Sequence, residues 1–282
     1  LNYRHAFHAG NFADVHKHAL LARLVDYLKR KDKPFRVYDT HAGIGVYDLT
    51  ADEAVRTGEF HQGIQRVLAS DADQHPLLSD YLAIVRELNK QLELPSYPGS
   101  PYIVRQMLRR QDRLSAYELH PADFKTLASH FAGDVQVKTI ELDGWLALGG
   151  HVPPKEKRGL VLIDPPFEAV DEFSRIVEQL SRAWQRWSSG IYAIWYPIKR
   201  RSVVEEFHRQ LAQSGIANIV AAEFCRESDA DEHRLVGSGL IVINPPYVFA
   251  QEAQTIMDIL QPLLAISPNA RGTIKTLAGE RQ

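Results

Sequence analysis

From Leu114 onward the chain alternates short apolar runs with segments of helical periodicity, and this alternation narrows the fold more than any other feature. Runs at 114–119, 135–142, 159–163 and 191–195 read as strands, while the segment after Pro121 and those near 170–184 and 203–212 read as helices. Strands that alternate with helices build a parallel sheet covered on both faces, an α/β architecture. Two further runs, 219–224 and 239–243, are joined by a polar loop without helical pattern. They are expected to pair as a hairpin, with 239–243 as the last and outer strand.

Upstream, Leu20, Leu21, Leu24, Val25 and Leu28 recur at helical spacing, with Asn11 and Asp14 placed to cap an opening helix. Residues 35–40 read as a strand running into Ala42-Gly43-Ile44-Gly45, where glycine tolerates the backbone angles that let a ligand approach. A polar stretch with Leu78, Leu82, Val85 and Leu88 at helical spacing follows, closed by Pro95, Pro98, Gly99 and Pro101. The expected organisation is one domain from 1–45 and 102–282, in which 1–34 gates the pocket, interrupted by a helical insertion subdomain at 46–101.

Composition removes several classes. The single cysteine, Cys225, excludes an internal disulfide and a thiolate zinc cluster. No segment approaches the roughly 18 consecutive apolar residues of a membrane span. Leu1 to His18 is polar where an export signal is apolar, so a cytoplasmic protein is expected. A net charge of -2 is not that of a protein that coats nucleic acid. Basic residues nonetheless gather at 1–36, at Arg105, Arg109, Arg110 and Arg113, and at Lys199, Arg200 and Arg201. These clusters are either solvated helix faces or parts of a phosphate-tracking surface.

The chemistry-bearing turn is Asp164-Pro165-Pro166-Phe167, directly after the apolar run Leu160-Val161-Leu162-Ile163. The carboxyl end of a strand is where open α/β sheets bind ligands. Two prolines fix the backbone and carry no N–H, which leaves neighbouring carbonyls as free acceptors. An amino group on a nucleobase is a poor nucleophile because its lone pair is delocalised into the ring. A carboxylate and a carbonyl that accept both of its hydrogens localise that lone pair, and Phe167 offers a face on which an extruded base can stack. A second match, Asn244-Pro245-Pro246-Tyr247, ends the outer strand of the suspected hairpin with no clear helix after it. It is the weaker candidate.

A pocket for an adenosine-bearing cofactor follows from three more strand ends. The loop Asp39 to Gly45 has two of the three glycines of a nucleotide loop, with His41 in the place of the first. Glu118 is placed to accept two ribose hydroxyls, and Asp143, before Gly144, to accept from an adenine amino group. A dinucleotide-binding dehydrogenase expects its acid about 20 residues after the loop, and Glu118 lies far beyond that. His5, His8, His16 and His18 fit no standard zinc spacing and have no nearby glutamate as base, against a nuclease-like metal site. No metal is expected. Tyr3, Arg4, His5 and Lys17 are instead placed to contact substrate, with His18 toward the cofactor. These residues alone leave open a base amine of RNA, one of DNA, or a protein glutamine.

Tyr3-Arg4-His5-Ala6-Phe7-His8-Ala9-Gly10-Asn11, Asp39-Thr40-His41-Ala42-Gly43, Tyr97-Pro98-Gly99-Ser100-Pro101, Glu118-Leu119-His120-Pro121, Asp164-Pro165-Pro166-Phe167 and Tyr196-Pro197 together carry a resemblance that runs from end to end. The chain resembles the bacterial RlmJ family of 23S ribosomal RNA adenine-N6 methyltransferases, relatives of which were also described as serving the use of external DNA. The resemblance implies a Rossmann-like class I fold that uses S-adenosylmethionine, and a monomer acting on naked or partly assembled RNA. It implies cofactor contacts at His18, His41, Ser100, Glu118, Asp143, Gly144 and Asp164, with Asp164 as proton acceptor. Tyr3 would touch RNA, with His5 and Lys17 near the reacting groups. Phe167 departs from the family's usual tyrosine. The alternatives are a DNA adenine-N6 methyltransferase and a nuclease-like or binding protein for external DNA.

Overall fold

The computed structural model describes residues 5–168, 171–228 and 234–280. Ten strands are present among them: β1 (Arg36–Asp39), β2 (Val46–Asp48), β3 (Ser96–Pro98), β4 (Arg113–Glu118), β5 (Val137–Glu141), β6 (Gly159–Ile163), β7 (Ile191–Ile198), β8 (Ile219–Cys225), β9 (Gly237–Ile243) and β10 (Arg271–Ala278). Eight of them form one sheet in the order β5-β4-β1-β6-β7-β9-β8-β10. The pairs from β5 through β7 are parallel, whereas β9 runs antiparallel to both β7 and β8, and β10 antiparallel to β8. From β1 the chain winds outward to β4 and β5 and then returns to β6 on the other side. This reversal opens a crevice at the carboxyl ends of β1 and β6, the switch point of a doubly wound sheet.

Alternate residues of each strand serve two cores. Val37, Leu160, Leu162, Val220, Ala222 and Phe224 pack on the face covered by the helices Phe12–Lys29 and Phe249–Leu264. Tyr38, Val161, Ile163, Ile219, Ala221 and Cys225 pack against Glu172–Arg186 and Arg201–Gln213 on the other. Helices on both faces of an α/β sheet is the expected arrangement. The opening helix is buried nearly all round: Leu20, Leu21, Leu24 and Val25 are at most 1% exposed, so it is a core helix of the sheet.

The segment between β1 and β4 carries the helical residues expected of it. The ribbon β2–β3 closes its base, and the helix Pro76–Leu92 fills it. Tyr81, Leu82, Val85 and Tyr97 join the same core as Leu20 and Leu24. The helix Ser100–Met107 follows, with Pro101 in its first turn, where a missing N–H costs nothing.

Two expectations for the chain's end are corrected. The 239–243 run is not an outer strand: β9 lies between β7 and β8, and the pairing with β8 is the expected hairpin. A helix does follow Asn244-Pro245-Pro246-Tyr247. Phe249, Ala253, Ile256, Met257, Leu260 and Leu264 are its buried stripe, and Pro262 lies in its last turn. Because β9 is reversed, that second turn lies on the edge opposite the crevice.

Candidate active site

The loops at the carboxyl ends of β1, β4, β5 and β6 enclose a cavity of about 360 Å³, within the roughly 300–1,000 Å³ typical of small-molecule sites. Eleven of the expected site residues line it: His5, Lys17, His18, His41, Ser100, Glu118, Asp143, Gly144, Asp164, Pro165 and Pro166. Phe167 does not. Its backbone adopts φ 51°, and its ring leans on Phe173 at 5.0 Å and edge-on to Trp195 at 5.7 Å. Its partly buried ring thus belongs to an aromatic cluster beside the cavity. Tyr3 lies outside the described residues.

Each wall has a local cause. After β1 the chain turns through Gly43 at φ 63°, where a Cβ would fall 2.2 Å from the Tyr47 hydroxyl. The freed Gly43 N–H donates to Glu118 Oε2 at 3.0 Å, while the His120 N–H donates to Oε1 at 2.8 Å. Two backbone donors thus aim the carboxylate at the end of β4. Burial raises its pKa. After β5, Asp143 caps the helix Gly144–Gly150 by accepting from the Trp145 N–H at 2.9 Å, and it pairs with Arg175 at 3.5 Å. Gly144 permits this approach: a Cβ there would lie 2.1 Å from the Thr40 carbonyl oxygen.

The four amino-terminal histidines find four separate partners. His5 meets Asp14 at 2.9 Å, His8 meets Glu59 at 3.0 Å, His16 meets Ser238 at 2.8 Å and His18 meets the Tyr97 hydroxyl at 2.8 Å. Burial pushes His18 down to about 3 and His41 down to about 4, so both are neutral at physiological pH. His41 contacts Thr40 Oγ1 at 2.8 Å and stands edge-on to Trp145.

Asp14 has a role that sequence reading did not give it. Asn11 is the helix cap, accepting from the Asp14 N–H, and the Asp14 carboxylate turns inward to His5, the Gly10 N–H and Lys17. Burial alone would raise its pKa, but the His5 and Lys17 charges outweigh that and hold it well below the usual carboxylate range. Lys17 reaches on to Asp164, 2.5 Å away, with the Trp195 ring 5.4 Å from its Nζ. Asp39, fully buried behind Ser100, accepts from that hydroxyl at 2.6 Å, and burial pushes its pKa up to about 7. Its other oxygen has no partner among the described residues.

Trp145, Glu172, Arg175, Thr40 and Tyr47 also line the cavity and were not singled out from sequence. Arg175 and Glu172 sit on an amphipathic helix whose polar positions read as solvated surface. Only the fold turns them inward. The cavity wall carries six carboxylates (Glu118, Asp123, Asp143, Asp164, Glu168 and Glu172) against two permanent cations, Lys17 and Arg175. That balance favours a cationic occupant over an anionic one.

Residues 32–276 match the family described as ribosomal RNA large subunit methyltransferase D, RlmJ. Two curated relatives are each called ribosomal RNA large subunit methyltransferase J. That of Escherichia coli (strain K12) is 39% identical over 280 residues, covering 99% of this chain and all of the relative. That of Haemophilus influenzae (strain ATCC 51907 / DSM 11121 / KW20 / Rd) is 38% identical over 282 residues, with 99% and 100% covered. A crystal structure of a protein from Legionella pneumophila (str. Philadelphia 1) matches with a TM-score of 0.87 at 35% identity, over 95% of this chain and 98% of that one.

Proposed function

The chain belongs to the RlmJ family of ribosomal RNA large subunit methyltransferases, and we propose that it methylates N6 of an adenine in 23S ribosomal RNA with Asp164 as the central catalytic residue. The observation that carries this reading is the meeting of the Asp164-Pro165-Pro166 turn with Glu118 and Asp143 in one cavity. We take the enzyme to act as a cytoplasmic monomer on protein-free or partly assembled RNA. No helix among the described residues is long and apolar enough to cross a membrane.

S-adenosylmethionine supplies an electrophilic methyl group on a sulfonium. The residues present fit it: the cavity wall is net acidic, and His18 and His41 are held neutral, so neither repels a sulfonium. Glu118, already oriented by two backbone donors, would accept the ribose hydroxyls, and Asp143 the adenine amino group. Ser100, His18, His41 and Gly144 also line the wall.

Toward the substrate, Asp164 and the Pro165 carbonyl accept the two hydrogens of the target amine and localise its lone pair. The amine becomes acidic as it is alkylated, so its proton passes late to Asp164, which need not be a strong base. Holding the reactants in line is the main contribution, since orientation alone is worth about 7–11 kcal/mol of barrier in favourable cases. The test is transfer of labelled methyl from S-adenosylmethionine to protein-free ribosomal RNA and, separately, to duplex DNA, with wild type and Asp164→Ala. Label on RNA adenine that is lost in the variant supports the reading. Label on DNA alone overturns the substrate, and undiminished transfer by the variant overturns the role of Asp164.

A further inference from the structure

The three basic clusters of the sequence part company in the fold. Arg109 pairs with Asp112 and donates to the carbonyls of Lys29, Lys31 and Lys33; Arg105 pairs with Asp134, and Arg113 donates to the carbonyls of Arg110 and Asp112. These groups tie the end of the opening helix to the start of β4, on the amino edge of the sheet, away from the cavity. Arg23 and Arg30 pair with Glu252. Arg23, Arg30, Arg105, Arg109 and Arg113 are therefore structural.

The carboxyl edge is different. Lys199 follows β7 and is exposed; Arg66 projects from the insertion helix Ile64–Leu68; Arg226 follows β8. Among the described residues none of these three has a carboxylate within ion-pair distance. Arg226 is held by packing and one hydrogen bond: its guanidinium lies over the Phe12 ring at 4.8 Å and donates to Gln62 Oε1 at 2.8 Å. Phe12 begins the helix that carries Lys17 into the cavity, so this arginine is fixed to the site's own framework. Arg66 and Arg234 stand close enough to Arg226 to oppose its charge, adding to the burial that lowers its pKa. Lys199 stands close enough to His8 to act against that ring's protonation. The nearby carboxylate, Glu59, accepts from His8 and Asn11.

Arg66 and Arg226 repel one another in the free protein, and the acids that act on Arg226 are engaged elsewhere: Glu227 pairs with Arg234, and Glu59 accepts from His8 and Asn11. A polyanion at that place offsets the repulsion. We infer that Arg66, Lys199 and Arg226 form a phosphate track that holds the RNA strand flanking the target base. This rests on the functional reading above and extends it from the reacting base to the backbone around it. Phosphate contacts fix position and register without reading sequence. The track therefore acts on RNA affinity, with the chemical step left to the cavity.

The experiment measures affinity for protein-free large-subunit ribosomal RNA over a range of salt, with methyl-transfer kinetics, for wild type, Arg66→Ala/Lys199→Ala and Arg226→Gln. Each phosphate contact contributes about 0.7–0.9 to the slope of log affinity against log salt, so the double variant should lose about 1.4–1.8. Its KM for RNA should rise about tenfold at physiological salt, with kcat at saturating RNA and cofactor affinity unchanged. The comparison variant is Lys31→Ala/Arg110→Ala on the amino edge, which should match wild type. An unchanged slope and KM in the Arg66/Lys199 variant, or an equal loss in the Lys31/Arg110 variant, overturns the track. A wild type that methylates duplex DNA and not RNA overturns the functional reading first, and the RNA assignment with it.

Discussion

Lys17 Nζ lies 2.5 Å from Asp164 Oδ2 and 3.1 Å from Asp14 Oδ1, so one buried ammonium joins the carboxylate of the Asp164-Pro165-Pro166 turn to a carboxylate in the first turn of the opening helix. The Asp164 oxygen that should orient the target amine is thus held by another nitrogen donor. For the amine to take that position Lys17 must yield it, and Asp14 offers the ammonium a second partner. The same contact ties the Asp164 turn to the opening helix.

Removing this ammonium should separate stability from chemistry. Lys17→Met keeps the aliphatic stem but leaves Asp14 buried with less positive charge, and breaking a buried pair costs about 3 kcal/mol or more. Adding Asp14→Asn should restore most of that stability, read by urea unfolding. The rate of single-turnover methyl transfer should stay depressed in both variants. Recovery of the rate together with stability would mean that Lys17 serves the fold alone.

Glu118 tests the other half of the cavity. Its two carboxylate oxygens are fixed by the Gly43 and His120 N–H groups, so the side chain is organised before any ligand arrives. A hydrogen bond to a charged group is worth about 1.5–3 kcal/mol, so Glu118→Ala should weaken cofactor binding roughly 10- to 150-fold by calorimetry. Turnover at saturating cofactor should change much less. Unchanged affinity would remove Glu118 from the cofactor's contacts.

How much of this was legible in the sequence depended on range. The parallel strands, the glycine loop and the carboxylates at their ends obey local rules of period, turn chemistry and strand-end position, and those residues do converge on one cavity. That Phe173, from the following helix, and Trp195, from β7, meet the Phe167 ring could not be read from the sequence, because both contacts depend on the tertiary fold. Asp14 passed for a cap because it stands three residues after Asn11, where either residue satisfies the local pattern. Its buried contact with Lys17 was not read from that spacing. β10 escaped notice because Arg271 to Ala278 is only half-buried and has no apolar alternation; it is an edge strand that only its pairing with β8 identifies.

Buried titratable groups set the pH response, and they oppose one another. Burial holds His16 and His18 at about 3 and His41 and His208 at about 4, below the unfolded value. Their contribution is present above about pH 6.5 and is lost as pH falls through the folded values, because the unfolded chain takes up protons that the folded one refuses. Asp39 has the opposite sign: with a folded value of about 7, its contribution is present below the unfolded value and is lost as pH rises toward 7. Near pH 5 four histidines outnumber one aspartate, a net uptake of about three protons on unfolding from these groups, so stability should climb steeply from pH 4.5 to 6.5. Each sign can be read separately in urea unfolding across that window. His16→Gln should lower the slope by about one proton, and Asp39→Asn should raise it by about one. Parallel curves for Asp39→Asn and wild type would place Asp39 in its charged form throughout, and its buried, unpartnered oxygen would then need a donor to hold it.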